Sequence, residues 1–362
     1  MTTATVAGGG AIGLAVAWRL AERGLDVTVV DPDPGRGASD VAAGMLAPVT
    51  EVHYGEEPLL ALNLESARRW PSFVAELEAL TGLPVGYRQE GTLAVACDDD
   101  DLRALDALVQ FQTQLELPVT RLGSSECRAL EPSLAPRVRG GALVRGDVQV
   151  EPRALVRALQ AACRARGVTE VREPAGRVDG GPTVTLASGR ALEADVAVVA
   201  AGCRSGELLD LPVRPVKGQI VRLRGDVAGL VTRTIRGGPR GVAVYLVPRA
   251  TGELVVGATV EERGFDTSVT AGAVHELLEA ARHVVPGVDE LELAEARAGL
   301  RPGTPDNAPI IGAAPDRPGV LVATGHFRNG ILLAPVTADA IADLAVGRPH
   351  PATAPFHPGR FR

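Results

Sequence analysis

The first thirty-one residues constrain the fold more than any other stretch. Thr5-Val6-Ala7 runs into Gly8-Gly9-Gly10-Ala11-Ile12-Gly13-Leu14. A helical segment at 15–23 then ends at Gly24, and Val27-Thr28-Val29-Val30 ends in Asp31. This reads as strand, glycine turn, helix and second strand. Gly8, Gly10 and Gly13 complete the G-x-G-x-x-G spacing: one for the tight turn, one for close approach of backbone to a pyrophosphate, one for helix–strand packing. The helix N-terminus offers free N–H groups and a positive dipole end to phosphates. Asp31 stands where a carboxylate can accept both hydroxyls of an adenosine ribose. The motif predicts a dinucleotide site and by itself admits either NAD or FAD.

At 362 residues the chain has length for two domains, and a net charge of −7 without a basic stripe argues against nucleic acid as a partner. Lys217 is the only lysine. No apolar run reaches membrane-spanning length, and the N-terminus enters the first strand directly, so neither a membrane span nor a signal peptide is expected. Cys97, Cys127, Cys163 and Cys203 lack metal-ligand or C-x-x-C spacing, which is read as reduced thiols in a cytoplasmic protein.

Small residues at 41–48, with Gly44 at their centre, either form a buried helix turn or let a flat ring lie against backbone. Periodicity predicts a helix at 59–80 with a break or bend at Pro71. A strand at 92–96 and a helix at 98–115, opened by four aspartates, follow; the acids suit a helix N-terminus better than a metal. Then come a strand at 141–150, a helix from Glu151-Pro152 to about 166, a strand at 168–172 and a hairpin over 183–192. The run 195–202 is a fully buried strand ending in a glycine turn, suited to the centre of a parallel sheet. Strands at 217–223, 242–248 and 252–259 with a helix at 271–285 predict an antiparallel sheet with a covering helix. A strand at 320–324, a polar loop at 325–330 and a closing helix at 331–346 end the pattern. The expected class is α/β. A Rossmann-like dinucleotide-binding domain takes residues 1–83, 141–212 and 296–362. A substrate domain takes 84–140 and 213–295.

Six segments, in order, carry a resemblance: Val6 to Leu14, Ala42-Ala43-Gly44-Met45-Leu46, Pro215-Val216-Lys217-Gly218-Gln219, Tyr245-Leu246-Val247-Pro248-Arg249, Ala298 to Gly312, and Gly325-His326-Phe327-Arg328-Asn329-Gly330 continuing to Pro335. Over nearly its whole length the chain resembles the FAD-dependent amine and amino-acid oxidases of the D-amino-acid oxidase superfamily. It is most similar to the glycine-oxidising members tied to thiamine biosynthesis. The resemblance implies non-covalent FAD. Gly8, Gly10, Ala11, Ile12, Gly13, Asp31 and Pro32 would line its ADP half. Ala38, Ser39, Ala43, Gly44 and Met45 would run along the pyrophosphate and flavin. Ala175 would meet the adenine, with Ala201 and Gly202 close by. His326, Phe327, Arg328, Asn329, Gly330, Ile331 and Leu332 would wrap the isoalloxazine, with the closing helix starting at Asn329-Gly330 and aiming its positive end at the ring.

The same resemblance makes Arg301 the grip on a substrate carboxylate, a role suited to a planar, permanently charged, bidentate group. Arg328 is implied as a second active-site arginine, Tyr245 as an aromatic that closes over the substrate, and Met45 as a substrate contact. Lys217 is expected to be supporting, and His326 to be either a base or a packing residue. One departure stands out: Asp40-Val41 precede the Met-containing turn where Ser or Ala is usual. The implied reaction is oxidative deamination of glycine, or of sarcosine or a small D-amino acid. Oxygen is reduced to hydrogen peroxide, and the imine goes to glyoxylate and ammonia or to thiazole synthase. A tetramer is the implied assembly. The alternatives are an oxidase or dehydrogenase of the same superfamily with another amine, and a flavin-binding protein without turnover.

Overall fold

The structure, a computed structural model, describes residues 1–361. Strand Thr3–Ala7 lies at the centre of a six-stranded sheet, with Asp26–Val30 and Thr169–Val171 on one side and Val196–Val199, Val320–Thr324 and Ile310–Ala313 on the other. All pairings are parallel except that of Ile310–Ala313 with Val320–Thr324. These strands read as unbroken apolar runs because both faces are covered. Helices Ala11–Glu22, Pro152–Ala165 and Ala334–Ala345 bury Leu14, Trp18, Leu155, Leu159, Val336 and Ile341 with Val6, Val27 and Val198. A small sheet of Ala175–Val178, Val184–Leu186 and Ala191–Leu192 covers the other face, placing Val178 and Val184 against Val30 and Val199. The strand order reverses direction around Thr3–Ala7. The glycine turn therefore opens at the topological switch point, where α/β sheets bind ligands.

The second layer is an eight-stranded sheet in the order Glu292–Gly303, Arg214–Arg224, Glu253–Gly257, Val244–Pro248, Thr234–Gly237, Thr92–Ala96, Gly140–Val144, Thr120–Gly123. It is antiparallel except where Thr234–Gly237 meets Thr92–Ala96. Alternation assigns its faces. Val221, Leu223, Leu246, Leu254 and Val256 point to one side and pack on Leu277, Ala281 and Val284 of helix Ala271–Val284. Ile220, Val247 and Val255 point to the other and meet Val41, Ala43 and Met45.

Several details differ from expectation. Helix Glu57–Thr81 runs unbroken through Pro71, which lies on its exposed face, because Trp70, Phe73, Val74 and Leu77 are anchored in the core. The segment expected as one strand at 141–150 is two: Gly140–Val144 joins the eight-stranded sheet, whereas Val148–Gln149 pairs with Met45–Leu46. Residues 296–303 likewise belong to an edge strand of the eight-stranded sheet, not to the parallel one. The closing helix begins at Ala334, with Pro335 in its first turn where the missing N–H costs nothing. A 3₁₀ turn, Phe327–Asn329, precedes it, so Asn329 and Gly330 lie in turns and not at a helix start. Among the described residues no helix is long and apolar enough to cross a membrane, and all four cysteines are free.

The glycine turn carries a sharp packing constraint. A Cβ on Gly13 would overlap the Gly8 carbonyl oxygen, and one on Gly8, at φ +118°, would overlap the Ala200 carbonyl. Gly13→Ala should therefore lower unfolding stability by about 1–3 kcal/mol, as overpacking does. Gly272→Ala, exposed in a helix with nothing near its Cβ, should be neutral or stabilising by up to about 1 kcal/mol. Chemical denaturation of the two variants checks the contrast.

Candidate active site

The glycine turn is built to leave a helix end open. Gly10 caps helix Ala11–Glu22 without a side-chain hydrogen bond, and no acid occupies the first turn. Asp31 Oδ2 accepts from Gly9 N at 2.7 Å and Oδ1 from Asp33 N at 2.9 Å, fixing the carboxylate at the mouth of the turn. Ser39 Oγ accepts from Ala11 N at 3.0 Å, which brings the 38–39 segment against the same helix end. A turn with no side chains at its closest approach, an open helix N-terminus and a fixed acid suit a dinucleotide.

Ala43 and Gly44 are held by Arg249. Its Nη1 donates to Gln149 Oε1 and to Val150 O, both at 2.7 Å, and its Nη2 donates to Ala43 O. Burial without a contacting acid pulls this guanidinium down to about 10. The carbonyl of Gly44, at φ +74°, accepts from Val150 N at 2.9 Å, and a Cβ on Gly44 would overlap Val150 O. Asp40, the departure in sequence, is buried and pairs with Arg153 and Arg297, tying this segment to strand Glu292–Gly303. Ala175 starts its strand beside the core that includes Ala7 and Val199, and Ala201 caps the 3₁₀ turn Gly202–Arg204.

The eight-stranded sheet presents a row of polar side chains over glycines. Arg301 lies over Gly218: a Cβ there would overlap the guanidinium. Its Nη1 donates to Thr259 O at 3.1 Å and to Lys217 O at 3.5 Å, and no carboxylate among the described residues pairs with it. Tyr245 lies over Gly257 in the same way. Burial raises the phenol's pKa, while Arg301 opposes the rise. Arg236 stands opposite Tyr245 in register, with Nη1 at 3.9 Å from Met45 Sδ.

Arg236 forms an ion pair with Glu51, and Glu51 lies 3.7 Å from Arg328. Burial pushes the Glu51 carboxyl up, but Arg236 and Arg328 outweigh it and hold the acid below its ordinary value. Arg328 also meets Glu56 at 3.3 Å, and Glu56 accepts from Asn307 Nδ2 at 3.2 Å. Glu51, Glu56 and Arg236 escaped sequence reasoning because they sit in no motif. The close approach at Gly218 and Gly257 was not read from the sequence either, although a glycine inside a strand is the signal that could have found it.

The structure thus brings Arg301, Tyr245, Met45 and Arg328 into one neighbourhood through Arg236 and Glu51. Phe327, at φ 47°, lies with its ring centroid 5.1 Å from the Arg328 guanidinium. Leu332 O accepts from Ser66 Oγ at 2.6 Å and Trp70 Nε1 at 2.9 Å, so the turns over Gly330 and Ile331 are fixed to helix Glu57–Thr81. Lys217 is taken up by Asp266 at 2.8 Å. His326 is buried, hydrogen-bonded through Nε2 to Thr337 Oγ1 at 3.0 Å, and pushed down to about 3 by burial, which keeps its ring neutral.

The sequence matches the family described as DAO, FAD dependent oxidoreductase, across residues 3–344. It is 35% identical to glycine oxidase of Geobacillus kaustophilus (strain HTA426), covering 94% of this chain and 91% of that one. It is 36% identical to the bifunctional protein ThiO/ThiG of Trichormus variabilis (strain ATCC 29413 / PCC 7937), covering 99% of this chain and 55% of that protein. The crystal structure of glycine oxidase from Geobacillus kaustophilus superposes with a TM-score of 0.93 at 33% identity, covering 99% of both chains.

The His326 shift has a pH consequence. Its pKa is lowered in the folded protein, so its contribution is complete above 6.5 and is lost as pH falls from 6.5 toward about 3. Below the unfolded value, wild type should lose stability relative to His326→Gln by ~1.4 kcal/mol per pH unit. Denaturant titrations between pH 7 and pH 4 measure this. Parallel pH dependences would show that His326 does not carry this loss of stability.

Proposed function

We propose that this chain, which belongs to the FAD-dependent oxidoreductase family, oxidises the amine of glycine to the imine, reduces oxygen to hydrogen peroxide, and supplies that imine to thiazole formation in thiamine biosynthesis. The observation that carries this reading is Arg301, a guanidinium on the inner sheet face held by carbonyls and, among the described residues, free of any pairing acid. Such a group binds a carboxylate in bidentate fashion. FAD, when bound, supplies the acceptor for the electron pair of the substrate's Cα–H bond, lost as the C–N bond becomes C=N and nitrogen gives up a proton, and the means of passing those electrons to oxygen.

The chain's own residues bind and orient. Gly8, Gly10, Ala11, Ile12, Gly13, Asp31 and Pro32 would hold the ADP half of FAD. Ala38, Ser39, Ala43, Gly44 and the turns at 326–332 would hold the remainder, with Ala175, Ala201 and Gly202 bordering it. Arg301 fixes the substrate carboxylate, Tyr245 stays a neutral phenol able to donate a hydrogen bond, and Met45 closes the apolar side. Arg328, held against Glu56 and Glu51, lines the site as a fixed, charge-paired side chain. Orientation and exclusion of water are what the protein must provide. Cys203, whose thiol burial pushes up, is a poor nucleophile, which supports non-covalent attachment. The match to a bifunctional ThiO/ThiG protein over 55% of its length supports a thiazole-forming partner.

A peroxide-coupled assay over glycine, sarcosine, proline and small D-amino acids tests the reading, with glycine expected to turn over. Absence of peroxide from glycine by yellow protein refutes it. Arg301→Ala should keep FAD and raise KM for glycine at least ~10-fold, the loss of a charged hydrogen-bonded pair. An unchanged KM would take Arg301 out of the carboxylate role.

A further inference from the structure

Three guanidiniums stand around the substrate face, and their counter-charges are unequal. Strand order places Arg301 over Gly218, Tyr245 over Gly257 and Arg236 on the next strand, as one row across the sheet. Arg236 is paired with Glu51, and Arg328 is shared between Glu51 and Glu56. Glu56 is itself fixed by Asn307. Among the described residues, Arg301 alone of the three faces only carbonyls. One anionic group of a substrate therefore finds an open cation. A second anionic group reaching toward Arg236 meets a site already filled by Glu51, whose side chain is 12% exposed.

We propose that Glu51 is a specificity-determining residue: by occupying Arg236, it restricts the site to amines with a single carboxylate and turns away those with a second acidic group. This rests on the proposed oxidation of glycine. Glu51 acts through charge, since a like charge brought beside a largely buried carboxylate is repelled and the displaced acid would be left without a partner. Removing its charge while keeping its shape would leave Arg236 free to receive a distal carboxylate.

The test compares wild type and Glu51→Gln as FAD-loaded enzymes with glycine and with iminodiacetate, a secondary amine bearing two carboxylates. The ratio of kcat/KM for iminodiacetate to that for glycine should rise at least ~10-fold in Glu51→Gln. The rise should vanish in the double variant Glu51→Gln, Arg236→Met. Calorimetry with the unreactive anions succinate and acetate reads the same selectivity without turnover: wild type should bind succinate more weakly than acetate, and Glu51→Gln should reverse that order. Unchanged ratios in a Glu51→Gln protein that retains FAD would overturn the proposal. Wild type that binds succinate more tightly than acetate would overturn it without any variant. Wild type that makes no peroxide from glycine would instead overturn the functional reading beneath it.

Discussion

The Arg301 guanidinium rests between the carbonyls of Lys217 and Thr259 with no acid among the described residues to neutralise it, and much of the surrounding structure follows from that choice. A cation on a partly buried sheet face is tolerable where dipoles surround it and where an anionic ligand completes it. Gly218 clears the space it occupies, and Gly257 clears the space for Tyr245 beside it. The neighbouring arginines are treated oppositely. Arg236 and Arg328 are matched to Glu51 and Glu56, so the positive charge left over is concentrated at one position. The result is a site with one open anion receptor flanked by closed pairs.

The second requirement is that the two sheets hold this receptor against the dinucleotide end of the molecule. The junction is made by small residues and by buried guanidinium bonds, not by bulk. Val41 fits against Gly299, where a Cβ would collide, and Arg249 gathers the carbonyls of Ala43 and Val150. Asp40 adds charged links to Arg153 and Arg297. On the other side, Ser66 and Trp70 fix the carbonyl of Leu332, so the turns after His326 are held by a long helix whose own core is set by Trp70, Phe73 and Leu77. Precision here comes from hydrogen bonds to backbone, which tolerate little displacement.

How much of this was readable in the sequence depended on whether the signal was local. The glycine turn and Asp31 lie within one strand–helix–strand unit, so their spacing disclosed both geometry and ligand class. The motif around Arg301 and the Ala-Gly-Met turn were recognised through resemblance. Their contact through Val41 and Gly299 depends on how the chain folds back, which no local spacing records. Strand Glu292–Gly303 was not drawn as a strand because it is an edge strand carrying many charges, with no clean alternation of apolar residues. Helix Glu57–Thr81 outlasted its proline because tertiary packing overrode local propensity. Arg236 and Glu51 were invisible for a plainer reason: their partnership spans almost two hundred positions and is created by the register of Arg236 with Tyr245.

In the proposed function, a carboxylate bound at Arg301 places its amine for oxidation by FAD held in the glycine cradle. Anaerobic mixing of the purified yellow protein with glycine tests it most directly, because the oxygen step is removed and only substrate binding and electron transfer remain. Glycine should bleach the oxidised flavin spectrum with saturating concentration dependence, and acetate should compete with this bleaching. A flavin that stays oxidised at every glycine concentration, or bleaching that acetate leaves untouched, would contradict it.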